Sequence, residues 1–175
     1  MKNLKKLFLA AVLLIGINTT QAQEKIAHIN FAELIQIMPE YKTAQKTLAD
    51  MQAKYKADYE KMVKEYQSKA EQYSKEAPTA GDATNATRGK ELQEIEIRIG
   101  QFEQSASQDM QKKSTDLNNP IMDKAFKAVE KISNAAGYDF VFDSGAGNGV
   151  IIAKGKNLME DVKKELGIKD TPVKK

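Results

Sequence analysis

Two runs of apolar and semi-apolar residues, one on each side of a short breaker cluster, limit what this chain can fold into. The first is Tyr41, Ala44, Leu48, Met51 and Tyr55, spaced three, four, three, four, and it resumes after a shift near Asp58 as Tyr59, Met62, Tyr66, Ala70 and Tyr73. The second is Leu92, Ile95, Ile99, Phe102, Ala106, Met110 and Leu117, which repeats the spacing with a four-four step at Ala106 and Met110. Such spacing puts side chains on one face of a helix, and kept up over several heptads it marks a coiled-coil seam; the shift reads as a stutter. Lys, Glu, Asp and Gln fill the positions between, so the seam is narrow and neither helix is stable alone. Ala77-Pro78-Thr79-Ala80-Gly81-Asp82 lies between the runs as a cluster that ends the first helix and turns the chain. Each helix therefore finds its partner in the other, as an antiparallel hairpin. With the turn centred near Gly81, Met62 falls level with Ile99 or Gly100, Tyr55 near Ala106, and Ala44 near Leu117. Each arm then reaches roughly 50 Å.

The segments flanking the hairpin read as a small body. Lys25-Ile26-Ala27-His28-Ile29-Asn30 alternates polar with apolar residues, as a half-buried strand does. A short helix follows with Asn30 as N-cap and Leu34, Ile35 and Met38 on one side, and Pro39 suits the first position of a new helix. Beyond the hairpin, Pro120 predicts a kink or short break, although Ile121, Ala125, Ala128, Val129 and Ile132 keep the helical period as far as a C-terminal Gly137. Tyr138-Asp139-Phe140-Val141-Phe142 and Val150-Ile151-Ile152-Ala153, joined by a glycine-rich stretch, read as a β-hairpin. A last helix carries Leu158, Val162 and Leu166 and ends at Gly167. The expected class is α+β: a long antiparallel helical hairpin projecting from a small β body that oligomerises. The divisions are a body segment 23–41, an arm 42–118 with its tip near 77–84, a second body segment 119–168, and a polar tail 169–175.

The first 22 residues read differently. Lys2, Lys5 and Lys6 precede an apolar run from Leu7 to Ile17, and Thr20 and Ala22 are small residues at the positions of a cleavage site. This is a secretory signal peptide, with cleavage expected after Ala22. The run is shorter than the ~20 residues a membrane span needs, so no stable insertion is expected after cleavage. The formal charge of the whole chain is +3, yet residues 1–22 hold three lysines and no acid, leaving 24 basic against 24 acidic side chains. A balanced chain lacks the basic stripe of a nucleic-acid binder, and none is expected as partner. Cysteine is absent, which removes disulfides, thiolate metal sites and a lipidated N-terminal cysteine.

No catalytic, cofactor or metal constellation emerges. Gly145-Ala146-Gly147-Asn148-Gly149 is followed by strand-like Val150-Ile151-Ile152, whereas a dinucleotide-binding loop opens into a helix. His28 is the single histidine, and the acids alternate with lysines as on a solvated helix face. What stands out is a soft stripe on the arms: Met51, Tyr55, Tyr59, Met62, Tyr66 and Tyr73, with Ile99 and Phe102 opposite. These are candidates for the arm seam or for contact with a guest, and packing accounts for most of them. Seams of Tyr, Met and Ala imply pliable arms. Candidates for an oligomeric body are Ile26, Ile29, Phe140, Val141, Phe142 and Ile151.

In order, the strand, the short helix, Met38-Pro39-Glu40-Tyr41, the charged hairpin, Gly137-Tyr138-Asp139-Phe140-Val141-Phe142-Asp143 and the terminal helix make a chain that resembles the Skp/OmpH family of periplasmic chaperones over nearly all of its mature length. The resemblance implies a homotrimer in which short strands form the body and three hairpins enclose a cavity for unfolded outer-membrane β-barrel proteins, with no nucleotide or metal used. It implies a periplasmic holdase rather than an enzyme. The balanced charge departs from the basic character of well-studied members, so a lipopolysaccharide site is not carried over. A structural coiled-coil spacer is the rival reading; it needs the same arms but not the strand-forming ends.

Overall fold

The computed structural model describes residues 25–169. The expected signal peptide and nearly all of the polar tail lie outside them. Strand β1 (Ile26–Ile29) leads into the short helix α1 (Phe31–Ile37), then α2 (Pro39–Ala80) and α3 (Asp82–Ala136). Strand β2 (Phe140–Asp143), strand β3 (Lys156–Asn157) and helix α4 (Met159–Glu165) complete the order. The class is α+β: a long antiparallel helical hairpin on a small three-stranded sheet.

The helix starts follow local chemistry. Asn30 Oδ1 accepts from the Glu33 backbone N–H at 3.1 Å, and Asp143 Oδ1 accepts from that of Phe31 at 3.1 Å, so two of the four orphan donors of α1 are satisfied. Pro39 opens α2, where its missing N–H costs nothing. Gly137 ends α3 in the left-handed region with φ 67°, and its N–H bonds back to the Ser133 and Asn134 carbonyls.

The tip differs from the expectation. Pro78 does not end α2, which continues to Ala80, and one residue, Gly81, separates the two helices. Gly81 has φ 78° and ψ 159°, a conformation essentially restricted to glycine. Asn85 reinforces the corner by donating from Nδ2 to the Ala77 carbonyl at 2.9 Å. Helix α3 likewise runs through Pro120 without a break. Proline removes one backbone hydrogen bond there, but Ile121, Ala125 and Ala128 are buried immediately beyond it, and this packing keeps the helix going.

The expected β-hairpin is also corrected. The sheet order is β2-β1-β3, and β1 is paired in parallel with both neighbours. Val150–Ala153 is not a strand; it is part of the return from one sheet edge to the other, and Val150, Ile152 and Ala153 line a surface depression together with Ile26, His28 and Phe142. Two strands flanking a common parallel neighbour cannot form a tight hairpin with each other, because the chain must travel back along the sheet between them. Residues 144–155 make that journey.

The core lies where the sheet meets the roots of the arms. Ala27 and Ile29 from β1 pack with Leu34, Met38, Ala44, Ile121, Ala125, Val129, Leu158 and Val162. Ala44 belongs to this cluster, and Leu117, expected to lie level with it, packs partly buried against the same cluster. Farther out, Ile95 is the buried hydrophobe of the arm. Because Gly81 holds the corner in a conformation that a Cβ opposes, Gly81→Ala should destabilise the distal arm by about 1–3 kcal/mol. Hydrogen exchange should quicken over residues 70–92 while the α1 and α4 amides keep their protection; unchanged exchange at the tip would contradict the assignment.

Candidate functional site

The arm seam is the first candidate, and the register of the hairpin decides what its residues can do. Met51, Tyr55, Tyr59, Met62, Tyr66 and Tyr73 on α2, and Ile99 and Phe102 on α3, are all half-buried between the helices. Tyr55 packs edge-on to Phe102 with ring centroids 5.8 Å apart, and its hydroxyl donates to Asp109 at 3.0 Å. These contacts bracket Ala106, the level expected for Tyr55. Tyr66 donates to Glu96 at 2.6 Å and Tyr73 to Glu91 at 2.5 Å. The Glu103 carboxylate faces the Tyr59 hydroxyl; its charge first, and then a hydrogen bond, hold that phenol above its ordinary pKa.

Tyr55, Tyr59, Tyr66 and Tyr73 thus form rungs to carboxylates of α3, with an aromatic ring in the seam and a hydroxyl at its edge. Their acidic partners went unrecognised in the sequence because they occupy flanking positions that resemble a solvated face. One signal was available: reflected about the Gly81 corner, each tyrosine falls within about one helical turn of its carboxylate.

The outermost rung is the most connected. Glu91 accepts from Lys69 Nζ at 2.6 Å and from the Tyr73 hydroxyl, and these bonds, in that order, hold its carboxyl below the usual range. The Arg88 guanidinium lies over the Tyr73 ring, 4.7 Å from its centroid, and pairs with Glu76. Hydrogen bonds from Gln72 and then Arg88 hold Glu76 low as well. The Tyr73 phenol is pushed up, chiefly by its bond to Glu91. These contacts are only partly buried, so each adds little free energy by itself and their value lies in fixing register.

The outer face of the sheet is the second candidate. Ile26, Phe140 and Phe142 are about half exposed there, and the two phenylalanine rings stack at 6.4 Å. Ile151, on the return segment, is 95% exposed. Val141 is half-buried on the inner side, whereas Ile29 is only 2% exposed and sits in its own chain's core. Ile26, Phe140, Phe142 and Ile151 are therefore the body candidates that present surface. Sequence reading missed Met122 and Phe126, exposed one turn apart on α3, although their four-residue spacing was legible.

Among the described residues, no group of three or more His, Cys, Asp or Glu is arranged to hold a metal, and no helix is long and apolar enough to cross a membrane. His28 Nδ1 lies 3.0 Å from Ser144 Oγ, and Asp143 accepts from Gly145 N–H and Asn148 Nδ2, so these polar groups brace the loop.

The fold is thus a long helical hairpin on a small sheet whose outer face carries exposed apolar side chains. Residues 25–166 match the family described as outer membrane protein (OmpH-like), and the chain belongs to that OmpH/Skp family. It is 25% identical over 146 residues to the chaperone protein Skp of Photorhabdus luminescens, covering 83% of this chain and 87% of the relative. It is 24% identical over 148 residues to Skp of Pectobacterium atrosepticum, covering 85% and 88% respectively. Skp of Photorhabdus laumondii is 25% identical over 146 residues, with coverage of 83% and 87%.

The sign of each shift sets the pH response of the tip. The depressed Glu91 and Glu76 contribute stability that is present above the unfolded carboxylate pKa of about 4.3 and is lost as pH falls through their lower folded values. The raised tyrosines contribute stability that is present below the unfolded phenol pKa of about 10 and is lost as pH rises through their higher folded values. Tip amide protection should therefore form a plateau from about pH 5 to 9 and fall on both sides. Glu91→Gln should remove most of the acid limb in exchange measurements corrected for intrinsic rate; an unchanged profile would show that the rung does not hold the tip.

Proposed function

We propose that the protein is a periplasmic holdase that works without ATP, binding unfolded outer-membrane β-barrel proteins between the arms of a homotrimer and keeping them from aggregating in transit. The observation that carries this is the pairing of two long, thinly packed helices with a body whose outer sheet face is apolar and uncovered, in a family whose relatives are named chaperone protein Skp. Many shallow contacts suit a broad range of unfolded partners better than one deep pocket does. No cofactor enters this reading.

The body supports the oligomer. A three-stranded sheet of four, four and two residues with stacked phenylalanines on its open face gains burial from a second copy. Three copies bring the Ile26, Phe140, Phe142 and Ile151 surfaces together and point the hairpins away from the junction. Native mass spectrometry of protein recovered from the periplasm should read three chains, each beginning at Gln23. Phe140→Glu combined with Phe142→Lys should give folded monomers, because both side chains are outside the single-chain core. A wild-type monomer, or a chain retaining residues 1–22, would overturn the corresponding part of the proposal.

The arms carry the activity in this reading. Deleting residues 59–102 and closing the gap with a short turn removes the rungs of Tyr59, Tyr66 and Tyr73 in register while leaving Tyr55 and Asp109. The shortened trimer should form but should fail to keep a urea-unfolded barrel soluble after dilution, as read by light scattering. Protection equal to that of the full chain would make the arms spacers.

A further inference from the structure

The back of α3, the face turned away from α2, differs from every other long surface of the hairpin. Gln101, Gln104, Gln108, Gln111, Thr115 and Asn119 follow one another at steps of three and four, and all are exposed. At ~100° per residue these steps keep them within one stripe opposite the seam. Ile97 continues the stripe toward the tip and is 53% exposed; Met122 and Phe126 continue it toward the body at 50% and 63%. From Gln93 to Phe126 this face carries no charged residue and runs for about 50 Å. Charges border it on both sides, Glu94, Arg98 and Lys112 along one edge and Glu96 and Glu103 along the other. The back of α2 shows the contrast, with exposed Lys46, Asp50, Lys61 and Lys64 at the equivalent helical positions.

An exposed helix face ordinarily carries charge, and its depletion together with exposed Met and Phe is the composition of a contact surface. Resting on the holdase reading, we propose that the back of α3 is the surface on which the client chain lies, and that the tyrosine seam is not. The occupant is an extended, unfolded segment of an outer-membrane barrel. Such a strand alternates apolar and polar side chains over about 10 residues, near 33 Å when extended, so the stripe accommodates a whole strand with length to spare. Glutamine carboxamides both donate and accept, and they meet the amides of an extended backbone in any register and whatever its side chains. The missing charges remove the desolvation that a neutral chain would otherwise impose on Lys or Glu. Ile97 at one end, and Met122 with Phe126 at the other, offer apolar anchors for the same chain. The tyrosine hydroxyls are already engaged with α3 carboxylates and have less to offer.

The test combines Gln101→Glu, Gln104→Lys, Gln108→Glu and Gln111→Lys in the full-length mature protein. These changes keep net charge and helix propensity while placing four charges on the stripe. The control combines Lys46→Glu, Asp50→Lys, Lys64→Glu and Glu65→Lys on exposed α2 positions, also at constant net charge. Affinity for a urea-unfolded, fluorescently labelled barrel is measured by titration after dilution, alongside helicity and native mass. The α3 variant should bind at least about tenfold more weakly, and the α2 variant within about twofold of wild type. If wild type binds no unfolded barrel, the holdase reading fails and takes this inference with it. If wild type binds and the α3 variant binds equally well, the stripe is not the client surface and the holdase reading stands. If the α3 variant dissociates, the stripe is a contact between copies and the inference is overturned. A photo-crosslinking side chain at Gln104 provides a second readout that adds no charge. It should capture the barrel where the same group at Lys64 does not, and equal capture at both positions would overturn the assignment.

Discussion

The parallel pairing of β1 with both β2 and β3 is the constraint on which the rest of the molecule depends. Ile26 to Ile29 lies beside Phe140 to Asp143 on one side and meets Lys156 and Asn157 on the other. More than a hundred residues separate β1 from β2, and every one of them must leave the body and come back. Two long antiparallel helices joined at one corner satisfy this with almost no loop. The contact between Asp143 and the first amide of α1 ties the return to the departure, since a β2 residue completes the cap of the helix that starts the outward journey. Burial of Leu34, Met38, Leu158 and Val162 then locks both ends of the excursion into one core.

Along the arms, stability is graded. At the root, Ala44 and Ile121 share the body's core, and a change there would be felt by the sheet. Farther out, aromatic edges and phenol–carboxylate bonds take over, all of them partly in water. Such contacts specify which residue faces which more than they add free energy. A helix pair of this kind is held in register by many weak contacts rather than by a few strong ones.

The hairpin was legible in the sequence because its signal is periodic and long: the spacing of Leu92, Ile95, Ile99 and Phe102 admits few alternatives to a helix. Asn30, Pro39 and Gly137 were legible because each has a local role that follows from its own side chain or lack of one. The sheet was not. Lys156 and Asn157 have no strand propensity, and they pair because Leu158 and α4 must enter the core next to His28, whose carbonyl accepts from Leu158 N–H. Val150-Ile151-Ile152 has every local mark of a strand, and the topology turns it into a return segment. Of the arm residues named as a candidate site, the tyrosines were found by type and spacing. Their carboxylate partners were hidden because a rung links residues as much as 54 positions apart.

The one-residue corner at Gly81 has an evolutionary consequence. With no loop to absorb a length difference, a residue inserted in α2 alone would rotate everything beyond it by about 100° and carry Tyr66 and Tyr73 away from Glu96 and Glu91. Arm length in this lineage is therefore expected to drift by matched gains and losses on the two helices, with the corner glycine as the mirror between them. Single-residue insertions should accumulate in the 144–155 return segment, which has no such mirror to respect.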